Sequence, residues 1–222
     1  MNNEAIPRLL FLIIIVVLGI LLHNLTPKKI DREKKRRDDL AALAQKLKLH
    51  FSPGTDFKLA DRFSFLSLLN RGDVRSAYNV SHGDHKGFPV LVFDYEISSG
   101  KYDYYWSAYI IEMNTNFPDT LITRETLGSR LFESMGESHI TFESKDFSRA
   151  YNVRAADKEF AFDVCHSKMM EYLLANRDLI IEIRGGAILL LFEDWLRPEK
   201  VEFNLSRLIE IRKLLPQYLF TT

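Results

Sequence analysis

An unbroken apolar run near the start of the chain, Leu9–Leu22, constrains the fold more than any other feature of the sequence. As a helix this run would rise about 21 Å, which is short of the ~30 Å hydrocarbon core of a membrane. Flanking residues that reach the interface lengthen it, so we predict a transmembrane helix over residues 9–25 behind a short tail, residues 1–8. The alternative is a cleaved signal peptide, which the sequence disfavours because no pair of small residues marks a cleavage site after Leu22.

A dense basic segment follows the apolar run and predicts the orientation of the chain. Only Arg8 precedes the run, and cations accumulate on the cytoplasmic side of a span, so we expect the N terminus outside and the C-terminal domain in the cytoplasm. The segment also predicts a juxtamembrane helix over residues 26–50, capped by Thr26 with Pro27 at its first position. The cations expected to contact anionic lipid are Lys28, Lys29, Arg32, Lys34, Lys35, Arg36 and Arg37.

The composition of the remaining chain, residues 51–222, predicts a single folded domain. The hydrophobic fraction of the whole chain, 46%, is ample for a packed core. The 30 Lys and Arg balance the 30 Asp and Glu, and setting aside the basic segment leaves the domain slightly acidic, so a nucleic-acid partner is not expected. A single cysteine, Cys165, excludes an intrachain disulfide.

Three segments have the pattern of β-strands: Ser76–Ser81, Phe88–Ile97 and Tyr104–Met113. In the second segment alternate residues are apolar, which is typical of a strand with one buried face in an antiparallel sheet. Helical apolar spacing occurs in several later segments. We therefore predict an α+β fold, in which an antiparallel β meander and hairpins pack against about three to four helices.

A glycine pair, Gly185-Gly186, separates two apolar β runs near the end of the chain. Primed two-residue turns require positive φ, which glycine adopts without strain, so the pair predicts the tight turn of a buried hairpin. An amphipathic segment through Val201, Leu205 and Leu208 then predicts a closing helix that ends near Pro216.

A series of segments between Leu40 and Phe220 resembles a known group of proteins. In order, they read GFPVLVFDY, LITRETLGSRL, ITFESKDFSRAYNV, FAFDVCHSKMMEYLL and EIRGG, followed by the closing helix. This order is similar to that of an uncharacterised family of bacterial membrane-anchored proteins that carry a domain of unknown function. The resemblance implies an α+β domain at the bacterial inner membrane, and it implies no catalytic residue.

Two groups of polar residues are candidates for a site. His82, Asp84 and His85 share one predicted turn and carry side chains that bind metals, although a hydrated hairpin loop explains them more simply. Asp94 and Glu96 lie two apart on a predicted strand, at a separation that acid–base pairs use, although such residues usually form the wet side of a sheet. We expect no metal and no cofactor, and the sequence contains no phosphate-binding or nucleophile motif.

Two further features have both a structural and a functional interpretation. Cys165-His166 suggests a thiolate pair, but adjacent residues face apart, and a small buried cysteine is the simpler interpretation. The aromatic strand Tyr104–Tyr109 either lines a ligand pocket or packs the core, and the sequence alone does not separate these alternatives.

These observations favour a binding protein over an enzyme. The leading hypothesis is a single-pass membrane protein whose cytoplasmic domain binds a protein partner or scaffolds an assembly, with membrane lipid as its second partner. One alternative is a sensor of lipid or of a small ligand at the membrane surface. The other is a membrane-tethered hydrolase that uses His82, Asp84 and His85 or the Asp94/Glu96 pair.

Overall fold

The computed structural model describes residues 30–99, 102–124 and 138–220 of the chain. Within these ranges no helix is both long enough and apolar enough to cross a membrane. The predicted transmembrane helix, residues 9–25, lies outside them. The predicted fold class, a transmembrane helix followed by one α+β domain with about three to four helices, is wrong, because no helix of the described ranges can span a membrane and the sheet carries more helices than expected. The predicted single-pass topology has no support in the described fold. What the structure shows is a seven-stranded antiparallel sheet with helices.

The sheet contains every strand of the described chain. The strands are β1, His50–Ser52; β2, Val74–His85; β3, Phe88–Ser99; β4, Tyr102–Arg124; β5, Ser138–Ile140; β6, Tyr151–Ala155; and β7, Ile180–Phe192. Their order is β1-β2-β3-β4-β6-β5, and β7 pairs with β4 outside this path. The segments that alternation predicts as strands lie within β2, β3 and the first half of β4.

Six helical segments of the described chain pack around the sheet, which is more than the number predicted. They are α1, residues 30–46; α2, Phe57–Arg62; α3, Lys145–Ala150; α4, Lys158–Val164; α5, Ser167–Ala175; and α6, Pro198–Leu214, with a 3-10 turn at Gln217–Phe220. The short helices α2, α3 and α4 begin where Asp56, Ser144 and Asp157 accept hydrogen bonds from backbone N–H groups of the first turn.

The longest strand, β4, organises the sheet because it pairs with β3, β6 and β7. Since β7 runs unbroken along β4, the prediction of a hairpin turn at Gly185-Gly186 is wrong. The two glycines lie instead at a bulge, where the register between the strands shifts between Glu112 and Phe117. Gly185 has a φ of +55°, a conformation that is common in tight turns. In this strand the same conformation forms part of the bulge.

Apolar side chains are buried on both faces of the sheet. On one face, α1, α4, α5 and α6 cover a core that includes Leu40, Tyr109 and Leu205. On the other face, α2 and the segment after it cover a second core that includes Leu66 and Phe93. A polar group inside either layer is therefore cut off from water and needs a partner within the protein.

The close approach at the bulge makes Gly186 sensitive to substitution. A Cβ at this position would lie 2.8 Å from the carbonyl oxygen of Met113. We expect Gly186→Ala to lower the free energy of unfolding by about 2 kcal/mol, measured by urea denaturation. Gly54→Ala is the control, because no atom lies within 4 Å of the added carbon. Equal stability of the two variants would contradict the bulge geometry.

Candidate functional site

Asp94 is completely buried on β3 and accepts hydrogen bonds from three separate elements. Arg36 of α1 donates from Nη1 at 2.8 Å, and Asn79 of β2 donates from Nδ2 at 2.7 Å. The backbone N–H of Leu196, which follows β7, donates at 2.7 Å. Burial raises the pKa of Asp94, and these donors oppose the rise. The carboxylate thus holds three segments together.

Asn79 reaches Asp94 because β2 bulges at this point. The register between β2 and β3 shifts between Tyr78 and Ser81, and Asn79 adopts a left-handed φ of +51°. Asparagine tolerates this conformation better than most residues. The bulge therefore turns the amide of Asn79 toward the buried carboxylate.

Glu96 lies on the same strand as Asp94 but in a different environment. Burial and the neighbouring Asp103 carboxylate raise the pKa of Glu96. Asp94, in contrast, is fixed by the donors described above. Asp94 and Glu96 lie on the same face of β3. The carboxylate of Asp94 is occupied by its three hydrogen-bond donors, so the two residues are not arranged to act together as an acid–base pair.

The side chains of the predicted polar turn, His82, Asp84 and His85, do not meet at a common site. Asp84 Oδ1 accepts a hydrogen bond from the backbone N–H of Gly87 at 3.0 Å. The exposed His82 packs its ring against that of His50 at 5.0 Å, and His85 is buried, which lowers the pKa of its imidazole. Among the residues that the structure describes, no three His, Cys, Asp or Glu side chains are placed to hold a metal ion.

The cations predicted to contact lipid are divided by α1. Arg36 turns inward to Asp94 and also donates to the carbonyl oxygen of Leu196 at 3.2 Å. Lys28 and Lys29 lie outside the described residues. The remaining members of the predicted set are exposed: Arg32, Lys34, Lys35 and Arg37. Lipid contact by these residues stays a prediction.

Acidic side chains surround the exposed cations of α1. The exposed acids of residues 31–39 are Asp31, Glu33, Asp38 and Asp39. Since these acids match the exposed cations of the same stretch one for one, the attraction of α1 to an anionic surface is weaker than the basic residues alone suggest. The helix is also an integral part of the domain, because Leu40 and Ala44 are buried in its core.

The packing of α1 on the sheet depends strongly on the ion pair between Arg36 and the buried Asp94. We expect Arg36→Gln to lower the free energy of unfolding by about 3 kcal/mol, because Asp94 would remain buried without its charged partner. The exposed neighbour Arg37 provides the matched control, and Arg37→Gln is expected to change stability by less than about 0.5 kcal/mol. Urea denaturation of both variants measures the difference, and similar values for the two would refute the role of Arg36.

The aromatic strand divides between core and surface. Trp106 and Tyr109 are buried in cores on opposite faces of the sheet. Tyr104 is 50% exposed, and Tyr105 stacks on Trp195 with the ring centroids 4.0 Å apart. Trp106 and Tyr109 therefore pack the core, whereas a role of Tyr104 and Tyr105 in lining a ligand pocket stays a prediction.

Tyr104, Tyr105 and Trp195 line one open hollow, and we call these three residues the aromatic surface. Tyr104 and Tyr105 are adjacent on β4, so their side chains leave the strand on opposite sides. The aromatic surface borders this hollow of about 330 Å³, whose rim carries the carboxylates of Asp103, Glu193 and Asp194. On its inner side Trp195 lies beneath the guanidinium of Arg36, 5.3 Å from the ring centroid. The position of the surface is thus tied to α1.

A second depression, which we call the α6 cleft, lies beside the aromatic surface. Its volume is about 160 Å³, and its lining includes Tyr109, Phe192, Trp195, Lys200, Asn204 and Arg207. Arg207 is buried and donates from Nη1 to Asp178 at 3.0 Å. Burial acts to raise the pKa of Asp178, but the hydrogen bond and charge of Arg207 prevail and lower it. The sequence signal for this cleft is the presence of two polar residues, Asn204 and Arg207, on the buried face of α6.

Another buried carboxylate, Glu182 of β7, also escapes sequence reasoning. It accepts hydrogen bonds from the backbone N–H groups of Ser67 at 2.6 Å and Leu68 at 2.9 Å. Burial raises its pKa, and these donors oppose the rise. A lone acid within an apolar strand is the signal that marks it. Cys165 is buried too, and burial raises the pKa of its thiol, which does not favour a thiolate.

Comparison with known proteins gives information on the fold. No protein-family model and no curated protein matches the sequence, so the resemblance to bacterial membrane-anchored proteins stays a prediction. Among solved structures, the chain is similar to the crystal structure of the mycobacterial trehalose monomycolate transport factor A, TtfA. The TM-score is 0.61 at 13% identity, and the match covers 82% of this chain and 95% of that chain. At this identity the similarity shows a shared fold.

Proposed function

We propose that this chain is a non-enzymatic binding module that works at a membrane and holds a protein partner through its aromatic surface. The observation that carries the proposal is that the half-exposed Tyr104 and the stacked pair Tyr105 and Trp195 line one open hollow. Aromatic side chains that are already ordered lose little entropy on binding, and Tyr and Trp dominate the binding energy of many interfaces.

The charges around the aromatic surface favour a basic partner segment. Asp103, Glu193 and Asp194 lie on its rim, and Glu96 is close enough to Asp103 for their charges to interact. Arg124 pairs with Glu193, and Arg197 pairs with Asp194. Asp103 and Glu96 make no salt bridge within the described residues, so a lysine or arginine of a partner would be attracted to them.

The role of Asp94 favours this proposal over a hydrolase. The carboxylate is buried and receives three donors, so proton transfer to a substrate would require the separation of α1 from the sheet. TtfA, which has a similar fold, is described as a transport factor, and a non-enzymatic role at a membrane is consistent with that description. A sensor of lipid or of a small ligand is the second candidate, favoured by the presence of the α6 cleft.

Photo-crosslinking tests the partner-binding surface. We expect a photoreactive residue in place of Tyr104 to form one discrete adduct with a protein in cell membranes. The adduct should fall about tenfold or more in the Tyr105→Ala background, because a central aromatic residue of an interface typically contributes that much. Phe162, an exposed aromatic residue of α4, is the control position. The same adduct from both positions, or none from Tyr104, would contradict the proposal.

The membrane location is proposed at the cytoplasmic face of the inner membrane, with the exposed cations of α1 toward the lipid. A chain that begins at Pro27 removes the apolar run from the test. This chain keeps Lys28 and Lys29, whose charge adds to the balanced charges of α1. We therefore expect it to co-sediment weakly with phosphatidylglycerol vesicles at low salt and to release near 0.5 M salt. Replacing Arg32, Lys34, Lys35 and Arg37 by Gln should abolish binding, since the acids of α1 would then dominate.

The control variant for vesicle binding removes the same charge elsewhere. In this control, Gln replaces four exposed lysines on other elements of the domain: Lys58, Lys145, Lys168 and Lys213. This variant should bind as the parent does. Equal loss in both variants would show that overall charge, rather than α1, determines binding.

A further inference from the structure

The α6 cleft has more hydrogen-bond donors than acceptors left to bind them. Its two carboxylates are already engaged, Asp178 by Arg207 and Asp194 by Arg197. Arg207 is only 6% exposed, and its Nε has no hydrogen-bond partner among the described residues. Lys200, on the rim, makes no salt bridge within the same ranges. Lys200 is exposed, so it is the charged donor of the cleft that an acceptor from outside the protein can reach, and the charge of Arg207 lies behind it.

One face of α6 presents these donors together. Lys200, Asn204 and Arg207 are spaced four and three residues apart, so they project from the same side of the helix into the cleft. At the base, Asn204 donates from Nδ2 to the hydroxyl of Tyr109 at 3.3 Å. The polar groups therefore form a line from the rim to the sheet.

The walls of the cleft are aromatic. The Arg207 guanidinium lies over the rings of Phe192 and Phe203, at 5.3 and 5.2 Å from their respective centroids. Phe203 is 59% exposed, and Trp195 forms another part of the lining. A volume of about 160 Å³ is close to the ~150 Å³ of an engineered cavity that binds benzene, so one ring or a short acyl segment fits.

We propose that the α6 cleft binds a phosphate group attached to an apolar group, with the phosphate toward Lys200 and Arg207 and the apolar part against Phe203 and Trp195. This chemistry is shared by soluble phosphate esters and by the headgroup region of anionic phospholipids. The cleft shares Trp195 with the aromatic surface, but the residues that would bind the phosphate lie on α6, so the site does not depend on the partner-binding contact at Tyr104.

The fluorescence of Trp195 reports occupancy of the cleft. The chain contains two tryptophans, so Trp106→Phe leaves Trp195 as the only one, in the full-length protein. We expect phenyl phosphate to change this fluorescence saturably. Inorganic phosphate and benzyl alcohol, which each carry half of the ligand, should bind at least about tenfold more weakly. Comparable binding of all three probes, or no saturable change with phenyl phosphate, would overturn the proposal.

A pair of lysine variants tests the position of the phosphate. Lys200→Gln should weaken phenyl phosphate binding about tenfold through loss of a charge-assisted contact. Lys168→Gln is the matched control, because Lys168 also lies in the first turn of a helix without a side-chain cap but outside the cleft. Equal weakening by both variants would mean that overall charge alone attracts the probe and would overturn the site.

Vesicles separate the two sources of phosphate. If the ligand is a phospholipid, vesicles of phosphatidic acid should change the Trp195 signal and phosphatidylcholine vesicles should not, with sensitivity to Lys200→Gln. If it is a soluble ester, phenyl phosphate alone should do so. The quadruple α1 variant should retain phenyl phosphate binding, so failure of the membrane proposal is distinguishable from failure of the cleft.

Discussion

The ion pair between Arg36 and Asp94 is the interaction on which the arrangement of this fold depends. It joins residues 58 apart in the chain, and the same carboxylate binds the backbone of Leu196, 102 residues beyond it. Removing two charges from water costs several kcal/mol each, and only complete hydrogen bonding offsets that cost. The contact therefore specifies where α1, the bulge of β2 and the segment after β7 lie relative to one another, more than it adds net stability.

The same physical arrangement recurs at two other places where irregular segments meet the sheet. Glu182 holds the turn that contains Ser67 and Leu68 against the opposite face, and Arg207 joins α6 to Asp178. In each case a charged side chain lies within an apolar layer and binds a second segment. Glu182 binds an irregular turn, and Arg207 fixes the orientation of a helix. Hydrophobic burial is non-directional, so these polar contacts supply the orientation that it lacks.

Local patterns in the sequence predict local structure well, but they fail where the structure depends on contacts between residues far apart in the chain. Alternating apolar residues locate β2, β3 and the first half of β4, because the two-residue period is a property of the strand itself. Gly185-Gly186 suits either a turn or a bulge, and only pairing with the distant β4 selects the bulge. In the same way, the sequence predicts Arg36 as a lipid-facing cation and Asp94 as a residue on the wet side of a sheet, but tertiary packing buries the two together. The α6 cleft joins β4, β7 and α6, so no single stretch of sequence contains it.

The central position of β4 has a consequence for the order in which the chain folds. During synthesis the hairpins of β2, β3 and β4 form from neighbouring residues, whereas the outer edge of β4 stays open until β7 emerges. Asp94 likewise has Arg36 and Asn79 available early but receives its third donor only from Leu196. Non-local pairing of this kind slows folding. The nascent chain thus exposes an apolar strand edge from the synthesis of β4, which ends at Arg124, to that of β7, which begins at Ile180. This is the interval in which it is most prone to aggregate or to need a chaperone.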